Sequence, residues 1–259
     1  MMLVSVVAPL SLWALIARHV SPPDALGGAL AFTVGSAAIV LGLRAAPLAW
    51  LAHRPQAFVA IVTGIGMALL SLKLPAIPSH LAGSFGLILA GGTLGASVGA
   101  RMQRSGHILA VALVSAGVDL WSVTSPHGPT HAIVRNPALV RLLTVSVAVP
   151  SMREPQPAIG VGDVVFIALY LAAAQRFSLP RGRTLALLGA GVLAAGGAAM
   201  AAGTPVPALP LIGFAVVLGH RAAREVHPED RRATLFAAAV FISSVLRVAL
   251  KWEQIRAGL

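Results

Sequence analysis

The sequence predicts an all-α, polytopic membrane protein of about nine transmembrane helices. Composition predicts it first: of 259 residues, 57% are hydrophobic and only 10% are charged. An ordinary soluble domain has roughly 45–50% and about 25%. Apolar runs of near-helical crossing length then recur along the whole chain, at mean hydropathy +0.86. Polar or proline-rich breaks separate them. Together these observations exclude a soluble globular enzyme, a disordered chain and a coiled coil.

Nine hydrophobic segments are expected, near 3–17, 25–43, 57–72, 79–100, 106–124, 160–175, 184–202, 207–220 and 233–250. Breaks include the Arg44 to Gln56 stretch and Arg101-Met102-Gln103-Arg104. The first segment does not read as a signal peptide, because no Lys or Arg precedes its apolar core. The fourth carries Gly91, Gly95 and Gly99 at four-residue spacing. Lipid provides no hydrophobic drive for helix association, so small residues at this spacing mark close helix contact, within the chain rather than across a dimer. The Ala- and Gly-rich seventh segment reads the same way.

Two regions do not read as spans. Residues 125–159 form the longest connection, with prolines at 126, 129, 137, 150, 155 and 157. Within it, 140–149 is rich in β-branched residues and alternates from Thr144 onward, a short strand-like segment. The second is Thr204-Pro205-Val206-Pro207-Ala208-Leu209-Pro210, where three prolines in six residues cannot continue a helix. It is nevertheless apolar and uncharged. Non-helical backbone at membrane depth is tolerated only in protein or beside a wet cavity.

The net charge of +11 sits in the breaks. There it reads as topology signal and as anchorage to anionic headgroups of the lipid bilayer, not as a nucleic-acid surface. Eleven Lys and Arg fall on even-numbered connections, against eight elsewhere, which places the N-terminus in the cytoplasm. Trp13, Trp50, Trp121 and Trp252 read as interface anchors, and Arg247, Lys73 and His107 as snorkelling residues near helix ends. His127 and His131 are four apart, but Gly128 and Pro129 intervene, so they read as loop histidines rather than metal ligands. No cysteine is present, no HExxH zinc motif, and no Gly-x-Ser-Gly with an intramembrane histidine. No metal and no cofactor are expected.

Of eight carboxylates, only Asp119 and Asp163 fall in apolar stretches. A carboxylate at membrane depth costs about 2.5–3.5 kcal/mol even on insertion scales, so two of them point to function. Asp119 precedes the end of segment five and Asp163 opens segment six, so the chain reverses between them near one membrane face. Two close carboxyls in a low-dielectric site do not both ionise easily; the pair should hold one proton. That state suits peptide hydrolysis, the ionised member activating water and the protonated member donating to the scissile carbonyl. It equally suits a proton relay in a transporter.

Gly160-Val161-Gly162-Asp163 resembles the GxGD signature of the intramembrane aspartyl proteases, and Pro207-Ala208-Leu209 resembles the PAL motif of their presenilin and signal peptide peptidase branch. The run from Asp119-Leu120 through Val123 and Pro126 to Gly128-Pro129 is similar to presenilin's first catalytic aspartate and following loop. Residues 160–177 are closer to signal peptide peptidase. Prepilin peptidases share GxGD alone; the order Asp, GxGD, PAL is far more specific. The resemblance covers roughly residues 106–220. Three departures stand out: Val118 replaces the family's Tyr before the first aspartate, segment 233–250 follows the PAL helix that ends the family's nine-helix fold, and one helix fewer lies upstream. A second Pro-Ala-Leu, at 137–139, precedes GxGD and reads as coincidence.

The resemblance implies Asp119 and Asp163 as the catalytic pair. It implies Gly160, Gly162, Pro207, Ala208 and Leu209 as substrate-positioning residues. Leu142, Thr144 and Val145 are expected to offer a strand edge to an unwound substrate. Replacing 142–147 with glycines is then expected to lower cleavage while leaving folding intact. The expected organisation is one membrane domain: helices at 1–104, a catalytic core at 105–222, and a C-terminal helix and tail at 223–259. Expected partners are transmembrane-helix or signal-peptide substrates, at a prokaryotic plasma membrane. A proton-coupled transporter and a catalytically inactive helix-binding relative are the alternatives.

Overall fold

The computed structural model describes residues 2–17, 19–20, 24–45, 54–125, 127–150, 152 and 154–257. Trp50 and Pro126 lie outside them. Among the described residues the chain is mostly helical, with eleven α-helices and one two-stranded sheet. In order they are α1 (Met2–Ala17), α2 (Asp24–Ala45), α3 (Arg54–Ser71), α4 (Ala76–Gly99), α5 (His107–Thr124), α6 (Pro129–Val134), α7 (Pro137–Leu143), β1 (Thr144–Val147), β2 (Gln156–Gly160), α8 (Val161–Arg176), α9 (Arg181–Ala202), α10 (Leu209–Gly219) and α11 (Arg231–Ala257).

Each of the nine predicted apolar segments coincides with a helix. Among the described residues, five stretches are long and apolar enough to cross a membrane: Leu26–Leu43, Pro78–Gly99, His107–Thr124, Arg181–Ala202 and Pro228–Leu250. Pro55–Ser71 and Leu209–Gly219 are apolar but shorter, and α1 and α8 have 16 residues each. A crossing needs about 20 residues.

The long connection is more structured than its prolines suggest. Pro129 and Pro137 both stand in the first turn of a short helix, where a missing N–H costs nothing. The Asn136 side chain caps α7 by accepting from the amides of Ala138 (3.0 Å) and Leu139 (3.4 Å). The Pro-Ala-Leu at 137–139 is therefore the first turn of a capped helix.

The chain divides into two compact units. The first comprises Met1–Arg101 and Asn136–Gly189. Its centre is α4, which packs against both α3 and α8. Backbone meets backbone at both contacts. A Cβ built on Gly64 would lie 2.6 Å from the Gly86 carbonyl oxygen, and one on Gly95 or Gly99 would overlap the carbonyl of Val165 or Leu169. The glycine stripe thus packs within the chain, as its spacing predicts. α8 is buried from Ile167 to Ala174 without a break. It ends with Ser178 in the left-handed region (φ 51°), its last carbonyls taken by the amides of Ser178 and Leu179.

The second unit comprises Met102–Arg135 and Ala190–Leu259. Here α5 packs against α10 and α11. Gly117 lets the Phe241 backbone approach, and Phe241 meets Phe214 edge-on at 5.2 Å. Near the start of α5, Arg104 donates to Asp230 at 3.0 Å and to Glu229, and His107 Nε2 lies 3.2 Å from Asp230. α9 stops at Gly203, whose φ of +63° suits a residue without Cβ.

Candidate functional site

In the second unit, Asp119 sits on α5 about five residues from its end, half-buried. After Gly203 the chain runs without regular structure to Ala208, and Pro210 lies in the first turn of α10. As at any helix start, the first amides of α10 have no partner within the helix. Asp119 supplies one: its Oδ2 accepts from the Leu209 amide at 2.9 Å, across 90 residues of sequence. The Ala208 amide is close enough to interact as well. Leu209 itself is 8% exposed and packs inward. Asp119 and Pro207-Ala208-Leu209 therefore form one local constellation.

The loop after Asp119 is folded tightly onto α5. Ser122 Oγ bonds Thr130 Oγ1 at 2.7 Å, and the Thr130 amide donates to Ser122 Oγ at 3.2 Å. The His131 ring lies 3.0 Å from the Val123 carbonyl, which gives that histidine a structural task. Trp121 is 39% exposed, as an interface residue would be.

In the first unit, β1 pairs antiparallel with β2, and β2 runs directly into α8. Thr144 faces Gly160, Val145 faces Ile159, and a bulge separates that pair from Ser146 opposite Pro157. Gly160 is the last residue of β2 and the N-cap of α8. Asp163 occupies the third helical position, half-buried, and its Oδ2 accepts from the Gly160 amide at 3.3 Å. This is half of a capping box, since glycine cannot reciprocate. A Cβ on Gly162 would meet nothing within 4 Å, so the space beside that turn is open.

The strand covers less than predicted: Thr144–Val147 rather than 140–149. Leu142 belongs to α7, because Val140–Leu143 complete the turn that Asn136 initiates. Val145 (0% exposed) and Val147 (2%) are core residues, and Val147 presses against the space left by Gly35 of α2. Glycines at 142–147 would therefore remove core packing, so folding would not survive that replacement intact.

Several participants escape a sequence reading. β2 hides in Glu154-Pro155-Gln156-Pro157, where proline density argues against a strand. Trp13, read as a membrane anchor, instead donates from Nε1 to the Ala148 carbonyl at 2.7 Å. Ser84 and His80, on α4, hydrogen-bond Ser146 of β1; nothing in their local sequence marks them. Among the described residues no cluster of three or more His, Asp or Glu side chains could hold a metal ion. No protein-family model matches the chain, and no curated protein or solved structure is similar to it at a significant level.

Proposed function

We propose that the chain is an intramembrane aspartyl endopeptidase that hydrolyses peptide bonds within transmembrane helices or signal peptides. The observation that carries this reading is the bond from the Leu209 amide to Asp119. It ties the first aspartate to the Pro-Ala-Leu turn, two of the three motifs picked out by sequence order. The strand pair running into Gly160-Val161-Gly162-Asp163 supports it from the other unit. So does α11, whose spanning window is apolar yet only 11% buried, as a lipid-facing helix would be. On this reading nine helices cross a prokaryotic plasma membrane with the N-terminus in the cytoplasm.

The mechanism asks Asp119 and Asp163 to share one water. The ionised carboxyl removes a proton from that water as it attacks the scissile carbonyl carbon. The protonated carboxyl donates to the carbonyl oxygen; as the C–N bond breaks, the first carboxyl passes the water's proton to the departing amine and the second takes one back from the gem-diol, which restores the singly protonated pair. A helical substrate hides its carbonyls in i→i−4 hydrogen bonds, so it is first drawn into an extended strand. The edge of β2 offers a template, by β-augmentation. Its last amide, that of Gly160, is already turned to the Asp163 carboxylate.

The test uses the full chain in lipid with a labelled transmembrane peptide. Wild type is expected to release two fragments, and a peptide carrying a hydroxyl isostere at the cleavage site should block release. Asp119→Asn and Asp163→Asn should each abolish it, since neither amide can exchange the proton. Proton-driven uptake without cleavage would replace this reading with the transporter. Peptide binding without cleavage would replace it with an inactive helix-binding protein.

A further inference from the structure

A two-stranded sheet has two outer edges, each able to take another strand. In this chain the two are unequal. Along a strand, backbone groups of alternate residues point to the same edge, so Thr144 and Ser146 share the outer edge of β1, and Ala148 follows one residue past its end. The Ser146 amide donates to Ser84 Oγ at 2.9 Å, and the same hydroxyl lies 3.5 Å from the Ser146 carbonyl as donor. One serine thus takes both backbone groups that a neighbouring strand residue would take. Two residues on, Trp13 Nε1 occupies the Ala148 carbonyl. At the strand's start, the Thr144 amide is spent on Val140 of α7.

The supports are well placed. Ser84 is 5% exposed on α4. His80 lies one turn before it, and its Nδ1 is 3.1 Å from Ser146 Oγ, which fixes the strand's side chain as Ser84 fixes its backbone. The cavity beside this edge, lined by Leu10, Ala14, Leu81 and Met152 among others, measures only about 70 Å³. Among the described residues, no side chain from another element is bonded to the β2 backbone, where Gln156 and Pro157 are exposed; only its last amide, that of Gly160, is taken, by Asp163 itself.

We infer that Ser84 and Trp13 are positioning residues that close the outer edge of β1, so that a substrate strand can be added only along β2, the edge that ends at Asp163. This rests on the proposed reading for its substrate, an extended apolar segment of a membrane protein. Closure matters because a strand captured on the β1 edge would be held away from the one aspartate the sheet leads to. A sealed edge turns a two-sided template into a one-sided one.

The test needs no cleavage. Its probe is a non-cleavable apolar strand peptide, N-methylated along one side so that it pairs with one edge only, added to the full chain in lipid. In Ser84→Ala, exchange of the Ser146 amide should quicken by up to about tenfold, the effect of losing one hydrogen bond; Ser84→Thr, which keeps the hydroxyl, should restore slow exchange. Wild type should bind one peptide per chain, with protection confined to 156–160. Ser84→Ala combined with Trp13→Phe should bind two, with protection spreading to 144–148. Unchanged exchange in Ser84→Ala, protection of 144–148 in wild type, or one peptide per chain in the double variant would each overturn the inference. A chain that passes these measurements but cuts nothing refutes the protease reading alone.

Discussion

Alanine at Gly95 probes the contact that holds Asp163 in place. A Cβ there would overlap the Val165 carbonyl oxygen, and would lie 2.8 Å from its carbon and 3.0 Å from the Leu169 amide nitrogen. Comfortable contact begins near about 3.5 Å, so α4 and α8 must part by roughly 1 Å. All three obstacles are backbone atoms, which cannot swing aside. Overpacking of this kind costs about 1–3 kcal/mol, set against about 1 kcal/mol gained when alanine replaces glycine inside a helix. Gly66→Ala isolates that gain, because a Cβ on Gly66 would meet nothing within 4 Å. The two variants should therefore differ by the overpacking term itself. At roughly 2–4 °C per kcal/mol for a chain of this size, Gly95→Ala should melt several degrees below Gly66→Ala in the same micelle. Val165 is two residues, about 3 Å of helix axis, from Asp163, so the displacement should reach the carboxyl. Misplacement by about 1 Å can cost ~100-fold in rate, so on the proposed protease reading peptide cleavage should fall accordingly. Equal melting temperatures for the two variants would show that α4 and α8 are not in backbone contact, and would remove the account of how α8 is positioned.

Other substitutions separate local effects. Asn136→Ala removes the only side-chain cap of α7 and should lower stability by about 0.5–2 kcal/mol in equilibrium unfolding; no loss would mean that Pro137 alone sets the helix start. Ser178→Gly places a residue without Cβ where φ is already 51°, and should raise stability by about 1 kcal/mol. Asp119→Asn retains an acceptor for the Leu209 amide, whereas Asp119→Ala does not. On the proposed protease reading both should be inactive, but only the alanine variant should speed exchange of that amide, and equal exchange in the two would show the bond to be dispensable.

Much of the fold was legible because its cause is local. Helices in apolar surroundings need only a run of residues that satisfies its own backbone, and the nine segments stand out for that reason. The alternation from Thr144 is likewise local, and it locates β1. The second strand was not legible, since Pro155 and Pro157 remove donors and only the pairing with Val145 and Val147 makes the segment a strand. The role of Trp13 was misread because an indole at a helix end looks the same whether it meets headgroups or the Ala148 carbonyl.

By itself the sequence determined how many apolar segments there are, where the backbone must break, and which two acids stand in hydrophobic surroundings. Those properties follow from residue type and spacing, which act over a few turns. Only the tertiary structure decided which groups at the breaks find partners. The Leu209 amide reaches Asp119 from 90 positions away, Ser84 reaches Ser146 from 62, and Trp13 reaches Ala148 from 135. Such bonds form because a buried N–H or C=O left bare is costly, and that requirement specifies a partner's chemistry without specifying its place in the chain.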